Sequence, residues 1–177
     1  LHRAKDYLLD QSQTTDDRAE GMNNLTNSRT AIAQTFAQGT TGYVEFVDLK
    51  IIKESSPTGR IWAEIRTTSG GTPTDTVLAT SDKLDASLVS TSAQVVRFIF
   101  RSPVSLTAAT TYALVLTGDI AASDTNRISW RANSVGGYAS GDEFKREGGS
   151  WSSFGQGDDF WFKIYVTENN TSVTLPS

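Results

Sequence analysis

The chain has no cysteine. That removes disulfides, thiolate nucleophiles and cysteine-ligated zinc together. It leaves the compartment open, because secreted and virion β-domains do without cysteine as readily as cytosolic proteins. Histidine is nearly as scarce: the single one, His2, stands in a polar N-terminal stretch. The body of the chain therefore offers no imidazole to a Ser-His-Asp or Cys-His system. No apolar run approaches the 18 or so residues of a transmembrane helix. Like charges do not cluster either. The 16 basic and 20 acidic residues are scattered and leave a net charge of −4, the pattern of a solvated surface. A nucleic-acid partner needs a basic footprint, so none is expected. Neither a Gly-x-x-x-x-Gly-Lys-Ser/Thr nor a Gly-x-Gly-x-x-Gly cradle is present, which leaves nucleotide binding without support.

What remains is ample for one globular domain. There are 177 residues, 37% of them hydrophobic and 20% charged, enough for a sizeable core with some polypeptide to spare. The chain starts at Leu1 rather than Met, which is read as a processed or trimmed start. Sequons at Asn24, Asn169 and Asn170 are the chance matches expected of a chain rich in Asn, Ser and Thr.

Residues 1–30 are polar, with Leu1, Ala4, Leu8 and Leu9 as sparse apolar positions, and Gly21 with Asn23-Asn24 breaks any continuous helix. This stretch is expected to be an arm, a linker or a segment anchoring the chain to a partner. From Ala31 the apolar period becomes two. AIAQTFA places Ile32 and Phe36 in a first strand. In TGYVEFVDLKIIKE, Val44 and Phe46 share one parity and Val47, Leu49 and Ile51 the other, so a β-bulge or a change of sheet is expected between Phe46 and Val47. RIWAEIRT puts Ile61, Ala63 and Ile65 inward and Trp62, Glu64 and Arg66 outward. AQVVRFIFR puts Val96, Phe98 and Phe100 inward, with Val95, Arg97, Ile99 and Arg101 opposed. TYALVLTG and RISWRA follow, then a glycine-rich stretch, and DDFWFKIYV closes the series. In that last segment Phe160, Phe162, Ile164 and Val166 face one way, and Trp161, Lys163, Tyr165 and Thr167 the other. Residues 168–177 look like a tail.

About eight or nine short strands with turn chemistry between them predict an all-β fold. The expectation is an antiparallel two-sheet β-sandwich of jelly-roll type over residues 31–167, with residues 1–30 as an arm outside it. Each strand is expected to bury one face.

Several stretches carry a resemblance. AQTF, YVEFVDLKIIK, SPTGRIWAEIRTTSGGTPTDTVLATS and VVRFIFRSPVSLTAATTYALVLTG, with Gly136-Gly137-Tyr138, Gly148-Gly149-Ser150-Trp151 and Phe160 to Val166, resemble a family of β-sandwich modules. These are the choice-of-anchor-type domains, like carbohydrate-binding jelly rolls, found in bacterial surface proteins and phage structural proteins. The resemblance spans residues 31–167 and implies a fold together with adhesion, display or glycan binding. It fixes no functional residue.

The chemistry on offer is that of binding. Adjacent carboxylates such as Asp142 with Glu143, or Asp158 with Asp159, point to opposite sides of a strand, so neither makes a glycosidase pair by itself. A non-catalytic chain is expected. Loop carboxylates offer calcium as an option, with Asp142, Asp158 and Asp159 the candidates and Asp119 and Asp124 in the same third of the chain, although no EF-hand spacing is present. No other cofactor is implied. Aromatic side chains are the stronger lead, because sugar C–H faces stack on rings that have few rotors to freeze. Trp62, Trp161 and Tyr165 on outward parities, with Tyr138 and Trp151 in the glycine-rich region, are the candidate platform. The competing reading is that these rings are covered, by the loops closing the sandwich, by the arm or by a neighbouring subunit. Two functions follow. One is a glycan-binding or adhesive module on a cell or virion surface. The other is a purely structural virion component (head decoration, fibre or tail protein) held to a protein partner, or in a homo-oligomer, by its arm and outer sheet face.

Overall fold

The computed structural model describes residues 5–155 and 157–168. His2, Leu1 and Ala4, the sequons at Asn169 and Asn170, and the tail beyond Glu168 lie outside the described residues. Two antiparallel sheets of seven strands each form a sandwich. The first sheet contains β1 (Leu8–Gln13), β2 (Arg18–Gly21), β4 (Gly42–Glu54), β8 (Gln94–Leu106), β10 (Arg127–Asn133), β13 (Asp159–Phe160) and β14 (Phe162–Val166). The second contains β3 (Arg29–Ala37), β5 (Arg60–Ser69), β6 (Thr72–Thr80), β7 (Leu84–Asp85), β9 (Thr111–Gly118), β11 (Glu143–Glu147) and β12 (Ser150–Ser153). A 3₁₀ turn at Ala86–Leu88 is the one helical element among the described residues.

Alternation builds the core as the sequence predicts. Val47, Leu49 and Ile51 of β4, Phe98 and Phe100 of β8, and Phe160, Phe162 and Ile164 of the closing strands face Ile32 and Phe36, Ile61 and Ile65, and Leu114 and Leu116. Trp130 is fully buried and stacks on Phe160 at 4.5 Å between centroids. β4 is the axis of the first sheet. β8 runs along one of its edges, while β14 (opposite Val47 to Leu49) and β10 (opposite Ile51 to Glu54) lie end to end along the other.

Three expectations need correction. The N-terminal stretch is not an arm outside the sandwich. β1 pairs with β14 from Leu8↔Val166 to Gln13↔Phe162, and β2 pairs with β10. Strand pairing is a backbone property, and apart from Met22, buried in the main core, the side chains that fix this segment are largely polar: Asp16 bonds Lys50 and Arg131 at 2.5 and 2.8 Å, and the Gln13 amide donates to the Asp159 carbonyl at 3.0 Å. Apolar periodicity carries no record of such bonds. These added strands, and the breaking of others into short pieces, also raise the count above eight or nine.

Second, Val44 and Phe46 do not share a face. The bulge falls at Glu45, which stands opposite residues 100–103 of β8, so Val44 and Val47 enter the core and Phe46 turns outward. Third, β3 and β9 are buried on both faces. Ala31, Ala33, Ala113 and Val115 lie on the side away from the main core and form a second small core with Phe144, against which Trp151 packs. The second sheet curls until its edge strands β12 and β6 approach each other, and Asp75 of β6 is bridged to Arg66 and Arg146 at 3.3 Å each.

Candidate functional site

The bulge at Glu45 shapes the outer face of the first sheet. The extra residues lie on β8, where residues 100–103 face Glu45 alone. Such an insertion re-aims side chains and interrupts pairing, and here a depression of about 580 Å³ opens beside it. Tyr7, Glu45, Phe46, Arg97, Ile99 and Arg101 line it. Phe46 is its centre. Its ring lies 4.8 Å from that of Tyr7 and 5.1 Å from that of Tyr165, tilted by 57° and 42°. The Arg97 guanidinium lies 3.9 Å from the Phe46 centroid and 5.5 Å from that of Tyr165, a cation–π stack on a sheet surface. Ile99 is 50% exposed and Tyr7 41%, so apolar surface borders the charged groups.

Ion pairs hold these groups in place. Buried Asp48 accepts from Arg97 Nε at 2.7 Å and Nη2 at 2.9 Å, the two-pronged geometry that guanidinium and carboxylate favour. This bond raises the Arg97 pKa above its already high value. Glu45 accepts from the Tyr7 hydroxyl at 2.8 Å and from Lys5 Nζ. Burial pushes the Glu45 carboxyl upward, but those two bonds outweigh it and hold the group below its ordinary value. Arg101 gives Nε to Asp82 at 2.7 Å.

Of the five aromatic residues expected to form a platform, only Tyr165 touches this cluster. Trp161 sits between β13 and β14, 7% exposed, and its carbonyl accepts from Trp130 Nε1 at 2.7 Å. Tyr138 closes the end of the core, edge-on to Phe162 at 5.2 Å with its hydroxyl donating to Gln11 at 2.6 Å. Burial raises its pKa to about 12. Trp62 and Trp151 lie on the far sheet. The Trp62 indole donates to Glu64 at 2.8 Å, under Lys83 at 4.0 Å, and the Trp151 ring lies beneath Arg66 at 5.7 Å. The five rings are therefore spread over three regions, and most of them cover structure. Sequence reasoning missed Tyr7, Glu45, Phe46 and Arg97. The signal lay in the parity break at Phe46 taken together with the outward Arg97.

Asp142, Asp158 and Asp159 do not form a cation site. Asp158 is bound to Arg18 at 2.6 Å. Asp159 accepts from the Gln34 amide at 3.0 Å and from the backbone of Gly137 and Tyr138 at 3.0 and 2.8 Å. The two Asp159 oxygens are thus loop staples rather than free ligands, while Asp158 keeps its buried Oδ1 without a partner among the described residues. Among the described residues no group of three or more His, Asp or Glu side chains could hold a metal ion. Arg18 also binds Glu143 at 2.5 Å. Burial drives the Glu143 pKa up to about 8, against the pull of Arg18 and with a push from Asp158. These carboxylates are closed off, at 2% and 4% exposure. Among the described residues no helix is long and apolar enough to cross a membrane.

No family model matches the chain, and no curated protein matches it. Among solved structures it resembles a clostridial cysteine protease, a variant of Cwp84 after propeptide cleavage, with a TM-score of 0.65 and 10% identity over 93% of this chain and 41% of that one. It also resembles the structure of the cysteine protease and lectin-like domains of Cwp84, a surface layer associated protein of Clostridium difficile, with a TM-score of 0.53 and 12% identity over 80% of this chain and 32% of that one. The chain thus spans less than half the length of either structure, and at such identities the likeness is one of fold.

Proposed function

We propose that this chain is a non-catalytic carbohydrate-binding module of a cell-surface protein, and that it binds glycan on the outer face of its first sheet. The observation that carries this reading is the depression at the Glu45 bulge. There Tyr7, Ile99 and the Arg97–Phe46 stack place apolar and planar surface beside charged hydrogen-bonding groups. A pyranose has the same division, an apolar C–H face with a polar rim, and rings supply contact area at low entropic cost. The ion pairs to Asp48 and Glu45 pre-set the side chains, so little order need be imposed on binding. The fold is consistent with the reading: one of the similar structures includes a lectin-like domain of a surface layer associated protein. The absence of catalysis is part of the proposal, since the chemistry in the depression is donor and ring rather than acid and base.

A glycan array probed with the full chain tests it. Binding is expected, with Tyr7→Ala weakening it roughly tenfold or more and Trp62→Ala, on the opposite sheet, leaving it unchanged. Equal loss from both variants, or turnover of a bound glycan, would contradict the proposal.

A further inference from the structure

The groups lining the depression differ in how much bonding capacity they retain, and that difference selects among sugars. We infer that the saccharide bound there is acidic, recognised through a carboxylate or sulfate substituent. This rests on the carbohydrate reading above and narrows it.

The chain as a whole carries −4, yet the lining contains three cations, Lys5, Arg97 and Arg101, and one anion, Glu45. That anion is spent: one oxygen takes the Tyr7 hydroxyl and the other takes Lys5. Asp48, beneath the surface, has both oxygens on Arg97. The nearby Ile99 carbonyl accepts from the Asp82 backbone at 2.8 Å. The carboxylates of Glu45 and Asp48 are thus engaged, and Asp82 holds Arg101 through Oδ1 alone. Guanidinium donors are left over. Arg97 gives Nε and Nη2 to Asp48, and its Nη1 has no partner among the described residues. Among the described residues Arg101 gives only Nε, to Asp82, and its side chain is 82% exposed, so this surface pair yields at little cost.

A neutral sugar offers hydroxyls, each of which donates as well as accepts, and is best met by mixed partners. A surface with guanidinium donors left over suits a group that only accepts. Carboxylate and sulfate are such groups, and guanidinium is their planar, two-pronged partner. Each cation here has a carboxylate partner, Glu45, Asp48 or Asp82, so recognition rests on the guanidinium donors left over rather than on net charge.

The test is titration calorimetry on the full chain with three probes, an oligogalacturonate, a chondroitin sulfate fragment and a neutral galacto-oligosaccharide, at low and high salt. At least one acidic probe is expected to bind roughly tenfold or more tighter than the neutral one, with affinity falling as salt rises. Arg101→Ala should weaken the acidic probe about tenfold without altering the circular dichroism spectrum, and Arg101→Lys should restore part of the loss. Neutral probe bound as tightly as both acidic ones, indifferent to Arg101→Ala, overturns the inference and leaves the carbohydrate reading standing. No binding of any probe, with no hit on the wider array, removes both.

Discussion

The guanidinium of Arg97 rests 3.9 Å from the centre of the Phe46 ring. The contact exists because the bulge at Glu45 turns Phe46 out of the core while Arg97 keeps the outward parity of β8. Asp48 clamps the guanidinium from below. Asp48→Ala should therefore release Arg97 and loosen the surface rather than unfold it. Arg97 is half exposed, so the expected loss is small, about 1 kcal/mol, read from urea unfolding. Glycan binding should fall with it. A variant with full affinity would show that the clamp does not organise the depression.

Ala33 is fully buried although it points away from the main core. Ala33→Leu should overpack the space beneath Phe144 and lower stability by about 1–3 kcal/mol, measured by thermal or urea unfolding. On a sheet face open to solvent the same substitution is close to neutral. A neutral result would mean that the second sheet does not curl over its outer face.

Removing residues 1–21 deletes β1 and β2, the bonds from Asp16 to Lys50 and Arg131, and the Arg18 bridge between Glu143 and Asp158. It also bares the edge of β14, a template for aggregation. The truncated chain should unfold at a clearly lower temperature or fail to stay monomeric in size-exclusion chromatography. An unchanged melting temperature would restore the expectation of an arm outside the sandwich.

Two-residue periodicity revealed the body of this fold because strands with one apolar face leave that trace in order. Val47, Leu49 and Ile51 are such a series. It stayed silent where other forces act. Asp16 and Arg18 tie the first strands to partners far along the chain, and pairwise charge contacts leave no local pattern. Ala31 and Ala33 read as small residues on a non-core parity, since nothing nearby in sequence reports that the sheet's own edges close above them. Trp161 and Trp62 have the outward parity expected of a platform, but parity gives direction and not exposure. Tyr7 was hidden in a polar stretch, and Phe46 could not be turned outward until the bulge was placed at Glu45.

Glu143 should make stability depend on pH in a definite direction. Its folded pKa of about 8 lies above the ordinary carboxyl value of 4.5. Between those limits the unfolded chain has lost a proton that the folded chain keeps. This group therefore lowers stability as pH rises through the window, by up to about 1.4 kcal/mol per pH unit, and adds nothing further above it. Glu143→Gln cannot ionise and should flatten the change between pH 5.5 and 8, seen as a smaller difference in unfolding midpoint. Identical pH dependence in both proteins would mean that Glu143 is already ionised in the fold.

Amide chemical-shift mapping during titration with an oligogalacturonate locates the ligand on the molecule. The shifts are predicted to cluster at Tyr7, Glu45, Phe46 and Ile99 to Arg101, on the outer face of the first sheet. Shifts centred on Trp62 and Trp151, on the other side of the sandwich, would contradict that placement.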